Sequence, residues 1–356
     1  MKTALRLQLM ILVLALTAAC GPSETPSDGT AEPAAEKRFL SFGTAPTGGT
    51  FFIVGSALAD VADEHVEQWT VSAEATAGSR ENIRRLIQGD LDFALSNAAI
   101  SYFGVRGEST WDKAYPIRAV MTLAPNVALF ITKQDSGIES IADLRDKRVV
   151  VGPAGAGFEM FVGPLVEAHG LTYEDFTPLN ATQTGAVDLL TDGSAAAAFL
   201  GGAVPTASIT QAASSMEIRL VPFDEEVKAG LINDYAFFAP ATIPADTYRG
   251  QDSDYAGFNV GSMHLITAES VPEETVYQLT KTIYENRAAV VERHPAGRAI
   301  QEKNVVRDTG TPFHPGAIRY YREIGIWPED AAEGASEGAG ESGVPAQDAS
   351  TSGEQG

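Results

Sequence analysis

The sequence predicts an α/β protein of two lobes, each a mostly parallel sheet flanked by helices, with a ligand cleft between the lobes. Strand-like and helix-like segments alternate along residues 39–326, and two runs of this alternation each open with a Gly-rich strand-to-helix turn, at residues 43–50 and 152–157. Repeated βα units imply parallel sheets with helices on both faces. Because such sheets bind ligands at the carboxyl ends of their strands, both turns are expected on one cleft.

The first Gly-rich turn lies within residues 39–52, which read FLSFGTAPTGGTFF. An apolar run ends at Gly43, and Thr50 opens a segment whose apolar residues recur at helical spacing. A helix start presents unpaired N–H groups and the positive end of the helix dipole, so it can hold an anion. Gly48 and Gly49 let a ligand approach the backbone closely. The alternative for this turn alone is a tight connection that binds nothing.

The remaining elements follow in order from the spacing of apolar residues. In the first half of the chain, strands are expected at 69–75, 91–95, 117–123 and 127–132, with helices at 50–65 and 80–88 and a further helix opened by residues 96–98. In the second half, strands are expected at 149–151, 196–200, 218–222 and 258–267, with helices at 138–144, from 158, ending at 188–190, from 205, at 272–292 and at 314–324.

The two ends of the chain predict export and anchoring. Lys2 and Arg6 precede a short apolar run that leads through small residues to Cys20, which is typical of a secretory signal. The sequence around Cys20 resembles the bacterial lipoprotein box, with Thr17 at a position that is more often aliphatic; the alternative is an ordinary signal peptide. The expected organisation is a signal peptide at 1–19, a lipidated tether at 20–38, lobe I at 39–126 and 258–327, lobe II at 127–257, and a disordered acidic tail at 328–356.

Composition and motifs favour a binding protein over an enzyme. The net charge of −22, from 47 acids and 25 bases, disfavours nucleic acid and anionic membrane surfaces as partners. Residues 39–327 contain no Gly-Lys dipeptide and no G-x-S-x-G sequence, which disfavours a phosphate-binding loop and a hydrolase nucleophile. The five histidines have no metal-ligand spacing, and Glu159, just after the second turn, is the one acid singled out. No catalytic residue, metal or cofactor is therefore expected.

Five blocks of sequence together resemble the TAXI family, the substrate-binding receptors of one branch of TRAP transporters. They read GTAPTGGTFF, AEATAGSRENIRRLIQGDLDFALSN, DSGIESIADLRDKRVVVGPAGAG, PATIPADTY and HPGAIRYYREIG, and the resemblance covers nearly all of residues 39–326. The resemblance implies a type II-like periplasmic-binding-protein fold and a ligand such as glutamate, glutamine or a related C4-C5 carboxylate. It also implies a membrane permease partner driven by a sodium gradient rather than by ATP.

The expected ligand contacts come from both lobes. Arg80 is expected to pair with a ligand carboxylate, the alternative being a helix residue that faces water. Phe158 stands in the second turn where many TAXI relatives carry a Ser-Gly-Thr sequence, so hydroxyl contacts are lost and an aromatic ring is gained. Phe237 and Phe238 are expected in the core, with the cleft wall as the alternative. The full expected set is Thr47, Gly48, Gly49, Thr50, Phe51, Ser79, Arg80, Ser96, Asn97, Asn126, Gly155, Ala156, Gly157 and Phe158.

The sequence therefore predicts a monomeric, extracytoplasmic solute-binding receptor, held in the periplasm by a lipid on Cys20. Binding is expected to stabilise a closed state of the two lobes, which the permease recognises. Two alternatives stay open. One is a binding protein of the same fold that serves an ATP-driven importer or a sensor, and the other, with less support, is an exported α/β enzyme.

Overall fold

The computed structural model describes residues 37–47 and 49–328 of the chain. The predicted signal peptide, Cys20, and most of the tether and the acidic tail lie outside these residues. Within the described part, the strands are β1 (Arg38–Gly43), β2 (Trp69–Glu74), β3 (Phe93–Asn97), β4 (Ile117–Thr122), β5 (Val127–Lys133), β6 (Arg148–Val150), β7 (Thr177–Leu179), β8 (Ala197–Gly202), β9 (Ile218–Leu220), β10 (Phe238–Ile243), β11 (Tyr255–Val260) and β12 (Met263–Ala268).

The α-helices of the described part, in chain order, are α1 (Thr50–His65), α2 (Ser79–Gln88), α3 (Ala98–Arg106), α4 (Glu159–Ala168), α5 (Gln183–Thr191), α6 (Ala207–Ser215), α7 (Glu225–Asp234), α8 (Glu273–Glu285), α9 (Arg287–Arg293), α10 (Glu302–Val305) and α11 (Pro315–Glu323). Two 3₁₀ turns, Ile141–Leu144 and Pro295–Ala299, complete the regular structure. None of these helices is both long enough and apolar enough to span a bilayer.

Local sequence signals explain where several helices begin and end. Asn97 caps α3, because its Oδ1 atom accepts a hydrogen bond from the Ala99 N–H at 2.8 Å. Helices α2 and α3 both stop at a glycine in the left-handed conformation, Gly89 and Gly107. Pro315 begins α11, where its missing N–H costs no helical hydrogen bond.

The strands form two mixed sheets. The first sheet has the order β2-β1-β3-β12-β4, with β1 parallel to β2 and β3, and β12 antiparallel to its neighbours. The second has the order β10-β11-β5-β8-β6-β7, with β9 also paired to β5; β6 is parallel to β7 and β8, and β5 is antiparallel to its partners. Parallel pairing is thus confined to strands of βα units, while β5 and β12 each enter their sheet from the other one.

The chain crosses between the two sheets twice. Residues 123–126 join β4 to β5, and residues 261–262 join β11 to β12. The first crossing is hydrogen-bonded to the end of β11, which leads into the second, because the Asn126 N–H donates to Asn259 Oδ1 at 3.0 Å and the Val260 N–H donates to the Asn126 carbonyl at 2.9 Å. These paired crossings form the connection about which two lobes can hinge.

Some elements differ from the sequence-based expectation. The strand expected at 258–267 is two strands, because Gly261 adopts a φ of +113° where it approaches Asn97 and so interrupts the extended backbone. The chain therefore returns to the first sheet at Met263 rather than at 258. The long helix expected at 272–292 is interrupted at Asn286 and forms α8 and α9. Strands β7 and β10 and helices α7 and α10 were not expected.

Buried apolar side chains form two clusters. One lies on the first sheet against α1, α8 and α11, and the other fills the second lobe and extends to α2 and α3 of the first lobe. At this extension the rings of Phe103 and Phe237 are 5.6 Å apart. Phe237 and Phe238 are both buried there, which places them in the core as expected. The two lobes therefore share a packed aromatic contact through α3.

Candidate functional site

A cavity of about 310 Å³ lies between the two sheets. Its walls follow the carboxyl ends of β1, β2 and β3 in the first sheet and of β6, β7 and β8 in the second. Both Gly-rich turns reach it, the first through Thr47 and Gly49 and the second through Pro153 and Ala156. Since ligand crevices in α/β sheets lie at the carboxyl ends of parallel strands, this cavity is the candidate binding site.

Six helices begin at the cavity. The residues that immediately precede α1 to α6 all line its wall: Gly49, Gly78, Asn97, Phe158, Thr182 and Thr206. Side chains cap two of these helices, α3 through Asn97 and α5 through Thr182, whose Oγ1 atom accepts from the Gly185 N–H at 3.2 Å. Helices α1, α2, α4 and α6 have no side-chain cap. Four helix starts without a side-chain cap, each with the partial positive charge of its helix dipole, therefore meet at one cavity. At α4 the Met160 and Phe161 N–H groups already donate to the carbonyls of Gly157 and Phe158.

Among the described residues, no acidic, basic or histidine side chain lines the cavity. Its positive potential therefore comes from backbone dipoles rather than from lysine or arginine. The polar wall consists of hydroxyl and amide side chains: Thr44, Thr47, Thr50, Ser79, Asn97, Asn126, Thr182, Gln183, Thr184, Thr206, Ser208 and Gln211. The larger apolar side chains of the wall are Phe51, Ile100, Phe158, Phe161 and Phe199.

Asn126 is the buried polar side chain whose own amide is unused. The residue is 8% exposed, and its backbone N–H and C=O are both hydrogen-bonded to the end of β11. Its side-chain carboxamide has no hydrogen-bond partner within residues 37–47 and 49–328. Both amide atoms remain accessible to water in the cavity, so a ligand that hydrogen-bonds to them replaces that water. Ser79 is also buried at the cavity; its Oγ atom accepts from the Asn97 N–H at 3.0 Å, which leaves its O–H to donate.

Sequence analysis missed the polar residues that the second lobe contributes after β7 and β8. Gln183 holds this wall together, because its Nε2 donates to the Gly201 carbonyl at 2.8 Å and its Oε1 accepts from the Ser208 hydroxyl at 2.6 Å. The Thr206 N–H donates to the Tyr248 hydroxyl at 2.8 Å, which fixes the start of α6. The available sequence signal was the pair of N-cap residue types at 182 and 206.

The structure places most of the expected site residues on the cavity wall. Ser96 is not among them; it is buried, and its hydroxyl accepts from the Ser101 hydroxyl at 2.9 Å and donates to the Asn97 carbonyl. Gly155 and Gly157 also lie off the wall, and Gly48 is outside the described residues. The expected residues that line the cavity are Thr47, Gly49, Thr50, Phe51, Ser79, Asn97, Asn126, Ala156 and Phe158.

Arg80 does not line the cavity. Its Nη1 atom donates to Glu159 Oε1 at 2.9 Å, and its Nη2 atom donates to the Thr110 carbonyl at 3.0 Å. The guanidinium carbon lies 5.3 Å from the centre of the Trp111 ring, and the side chain is only 16% exposed. The aliphatic part of Arg80 packs against Gly157, where an added Cβ would come within 3.0 Å of it. In this structure Arg80 neither faces the cavity, as the expected pairing with a ligand requires, nor faces water. Its guanidinium forms an ion pair with Glu159 of the other lobe instead.

The histidines have structural partners. The rings of His65 and His169 each contact the carbonyl four residues earlier, and His294 and His314 cap the turns that follow them. His264 is fully buried, and burial, assisted by the nearby Arg307 cation, lowers its pKa to about 3. None of the five lines the cavity.

Comparison with solved structures gives neighbours of low sequence identity. PhnD1 from Prochlorococcus marinus, solved in complex with methylphosphonate, has a TM-score of 0.51 and 9% identity over 80% of this chain and 95% of that one. A protein from Bordetella bronchiseptica has a TM-score of 0.50 and 14% identity over 85% and 93%. The periplasmic aliphatic sulphonate binding protein SsuA from Escherichia coli has a TM-score of 0.41 and 12% identity over 74% and 76%.

The predicted fold class is confirmed: the chain is an α/β protein of two mixed sheets flanked by helices, and PhnD1 shares this fold. The finer resemblance to the TAXI family stays a prediction. A model described as the NMT1-like family matches residues 42–325, which is most of the chain. The chain therefore belongs to the NMT1-like family.

Proposed function

We propose that the chain is an extracytoplasmic solute-binding receptor that holds a small organic anion between its lobes. The observation that supports this function is the meeting of four uncapped helix starts at a cavity that no charged side chain of the described residues lines, beside the unpaired amide of Asn126. Backbone N–H groups at helix starts suit carboxylate, sulfonate and phosphonate groups alike. PhnD1, which shares the fold, was solved with methylphosphonate, an anion of this kind.

A small carboxylate is the proposed ligand, as the TAXI resemblance implies. In this proposal Thr47, Gly48, Gly49 and Thr50 hold one end of the ligand from the first lobe, and Ala156 and Phe158 approach it from the second. The ligand then contacts both lobes at once, so binding stabilises the closed arrangement.

The ligand class is tested by thermal-shift and calorimetric titration of the full chain. The panel contains glutarate, glutamate, glutamine, methylphosphonate, methanesulfonate and the neutral amide of glutaric acid. A carboxylate is expected to bind most tightly and to raise the melting temperature. Tighter binding of methylphosphonate or methanesulfonate would change the proposed ligand class to a phosphonate or a sulfonate. The proposed receptor function would still stand. A rise in melting temperature with the neutral amide and with none of the anions would contradict the proposal that the ligand is an anion. Mass spectrometry of co-purifying solute provides a direct check.

The proposed partner is the membrane subunit pair of a TRAP permease. The same fold could serve an ATP-driven importer or a sensor, and the energy source of uptake separates these alternatives. In cells that contain the receptor and its permease, collapse of the sodium gradient is expected to abolish uptake while ATP depletion at constant gradient leaves it. The opposite pattern would assign the receptor to an ATP-driven importer. Absence of uptake even in untreated cells would favour the sensor.

The proposed location is the periplasm, with a lipid on Cys20 as the anchor. Mass spectrometry of the mature N-terminus is expected to show a diacylglyceryl cysteine, and Cys20→Ser is expected to move the protein from the membrane fraction to the soluble periplasmic fraction. An unlipidated N-terminus cleaved elsewhere would assign an ordinary signal peptide.

An exported enzyme is the less supported alternative. The cavity wall offers hydroxyl groups, yet within the described residues no histidine, acid or base lines it to activate them. A bound solute is therefore expected to be recovered unchanged after long incubation with the full chain. Conversion of that solute, followed by nuclear magnetic resonance, would make the protein an enzyme.

A further inference from the structure

We infer that the ligand is an organic acid that lacks an ammonium group, rather than an amino acid. This inference rests on the proposed function, and it narrows the ligand class that the resemblance alone leaves open. It is carried by the charges and hydrogen-bond acceptors that surround the cavity. The positive helix starts favour a negatively charged group, and few acceptors are free to bind a positively charged one.

The part of the chain that the structure describes provides the cavity with no carboxylate to pair with an ammonium. No aspartate or glutamate lines it among the described residues, and Glu159, the acid next to its second turn, is already paired with Arg80. The four uncapped helix starts carry partial positive charge and therefore repel a cation. An ammonium in this cavity would lose water without gaining an opposite charge, which is costly in a buried site.

Amide oxygens do not make up for this lack. An ammonium has three donors to satisfy. The cavity is lined by the carboxamides of Asn97, Asn126, Gln183 and Gln211, but Asn97 Oδ1 already accepts from the Ala99 N–H and Gln183 Oε1 already accepts from Ser208. Gln211, which is exposed, and Asn126 each keep an amide oxygen for an ammonium, but neither oxygen carries a formal negative charge. The amide nitrogen of Asn126, in contrast, can donate to a carboxylate together with the helix N–H groups.

The apolar wall indicates what else the ligand carries. The ring of Phe161 lies 4.9 Å from that of Phe158 and 5.9 Å from that of Phe199, so the three rings form a continuous row in the second lobe. Ile100 of the first lobe lines the same cavity. An apolar chain or ring on the ligand gains free energy against this row, at about 25 cal/mol per Å² buried, whereas a polar substituent there loses its hydration.

The experiment compares acids that differ only by the ammonium group. The full chain is titrated by calorimetry with glutarate and glutamate, 3-phenylpropanoate and phenylalanine, and 4-methylpentanoate and leucine. In each pair that binds, the acid without the ammonium is expected to bind at least about tenfold more tightly. Equal or tighter binding of the amino acid would overturn the inference and leave the receptor function standing. If no member of any pair binds, the proposed carboxylate receptor fails, and the inference falls with it.

A variant tests whether the selectivity comes from the missing carboxylate or from a poor steric fit of the amino acid. Asn126→Asp places a carboxylate in the cavity, and it is expected to shift the affinity ratio within a pair toward the amino acid by at least about tenfold. The matched control is Asn233→Asp on the exposed face of α7, which should leave the ratio unchanged. An unchanged ratio in a folded Asn126→Asp protein would overturn the assignment of selectivity to the missing carboxylate.

Discussion

The Nη1 atom of Arg80 lies 2.9 Å from Oε1 of Glu159, and this ion pair joins α2 of the first lobe to α4 of the second. Thr110 and the ring of Trp111 hold the guanidinium from the first lobe. Neither Arg80 nor Glu159 lines the cavity between the lobes. The pair therefore stabilises the approach of the lobes to each other, and it acts on ligand affinity through closure rather than through contact.

Arg80→Ala is expected to weaken ligand binding by a small factor, up to about fivefold, because an ion pair that is still partly exposed to solvent contributes up to about 1 kcal/mol. The loss should be equal for an anionic ligand and its neutral amide, since the charge of Arg80 is neutralised by Glu159 rather than by the ligand. Glu159→Gln should give the same loss, and the double variant should add little to it. Calorimetry would contradict this role if the loss exceeded tenfold and affected anionic ligands alone.

Asn126→Ala is expected to weaken anion binding by at least about tenfold without lowering stability. The free protein loses no hydrogen bond of the side chain, because the Asn126 carboxamide has none, whereas the bound state loses a donor. Calorimetry and urea unfolding measure the two effects separately, with Asn233→Ala on exposed α7 as the control. Unchanged affinity together with a large loss of stability would make Asn126 a structural residue of the crossing.

Gly152→Ala is expected to lower the free energy of unfolding by about 3 kcal/mol, which combines left-handed strain with overpacking. Gly152 has a φ of +109°, and a Cβ there would lie 2.2 Å from the Phe158 ring. Gly155→Ala is the matched control: its φ is +72° but its Cβ would meet nothing within 4 Å, so about 1 kcal/mol is expected. Equal losses of unfolding free energy in the two variants, measured by urea unfolding, would mean that the Phe158 ring moves aside without a cost in stability.

Stability is expected to fall as the pH drops from about 6.5 to about 3, and His264 is one cause. Its pKa is about 3 in the fold but near the ordinary 6.5 in the unfolded chain, so over this range the unfolded state binds the extra proton. The contribution reaches several kcal/mol, since each pKa unit is worth about 1.4 kcal/mol.

The test is urea unfolding of the full chain and of His264→Gln between pH 7 and pH 4. The variant loses baseline stability, because the ring hydrogen-bonds to Thr309 at 2.7 Å, but its decline with acid should be shallower. His65→Gln, at an exposed position at the end of α1, is the control. Parallel curves for the wild type and His264→Gln would remove His264 as a cause of acid sensitivity.

Much of the first lobe could be predicted from local patterns. The apolar run that ends at Gly43, the turn after it and the helical spacing from Thr50 all depend on neighbours in sequence, and β1 and α1 form there. The missed strands are different: β7 is three residues long, and β10 contains Pro240. Their pairing with other strands, rather than their own propensity, makes them strands.

The residues of the candidate site likewise divide into those that local sequence patterns predict and those that only long-range packing brings together. The two Gly-rich turns carry a local signal, so Thr47, Gly49 and Ala156 were found. Gln183 and Ser208 carry none, because a polar residue in the first turn of a helix is ordinary. The parallel order of β6, β7 and β8 sets them beside the second turn, and sheet order is a property of long-range packing.

The sequence by itself determined that this chain alternates strands and helices and opens each lobe with a Gly-rich helix start, because periodicity and backbone freedom are local properties. Only the tertiary structure decided that Arg80 meets Glu159 and that the cavity between the lobes has no charged side chain within the described residues. A positive charge in a sequence can serve a ligand or another residue, and the packing of one lobe on the other selects between these partners.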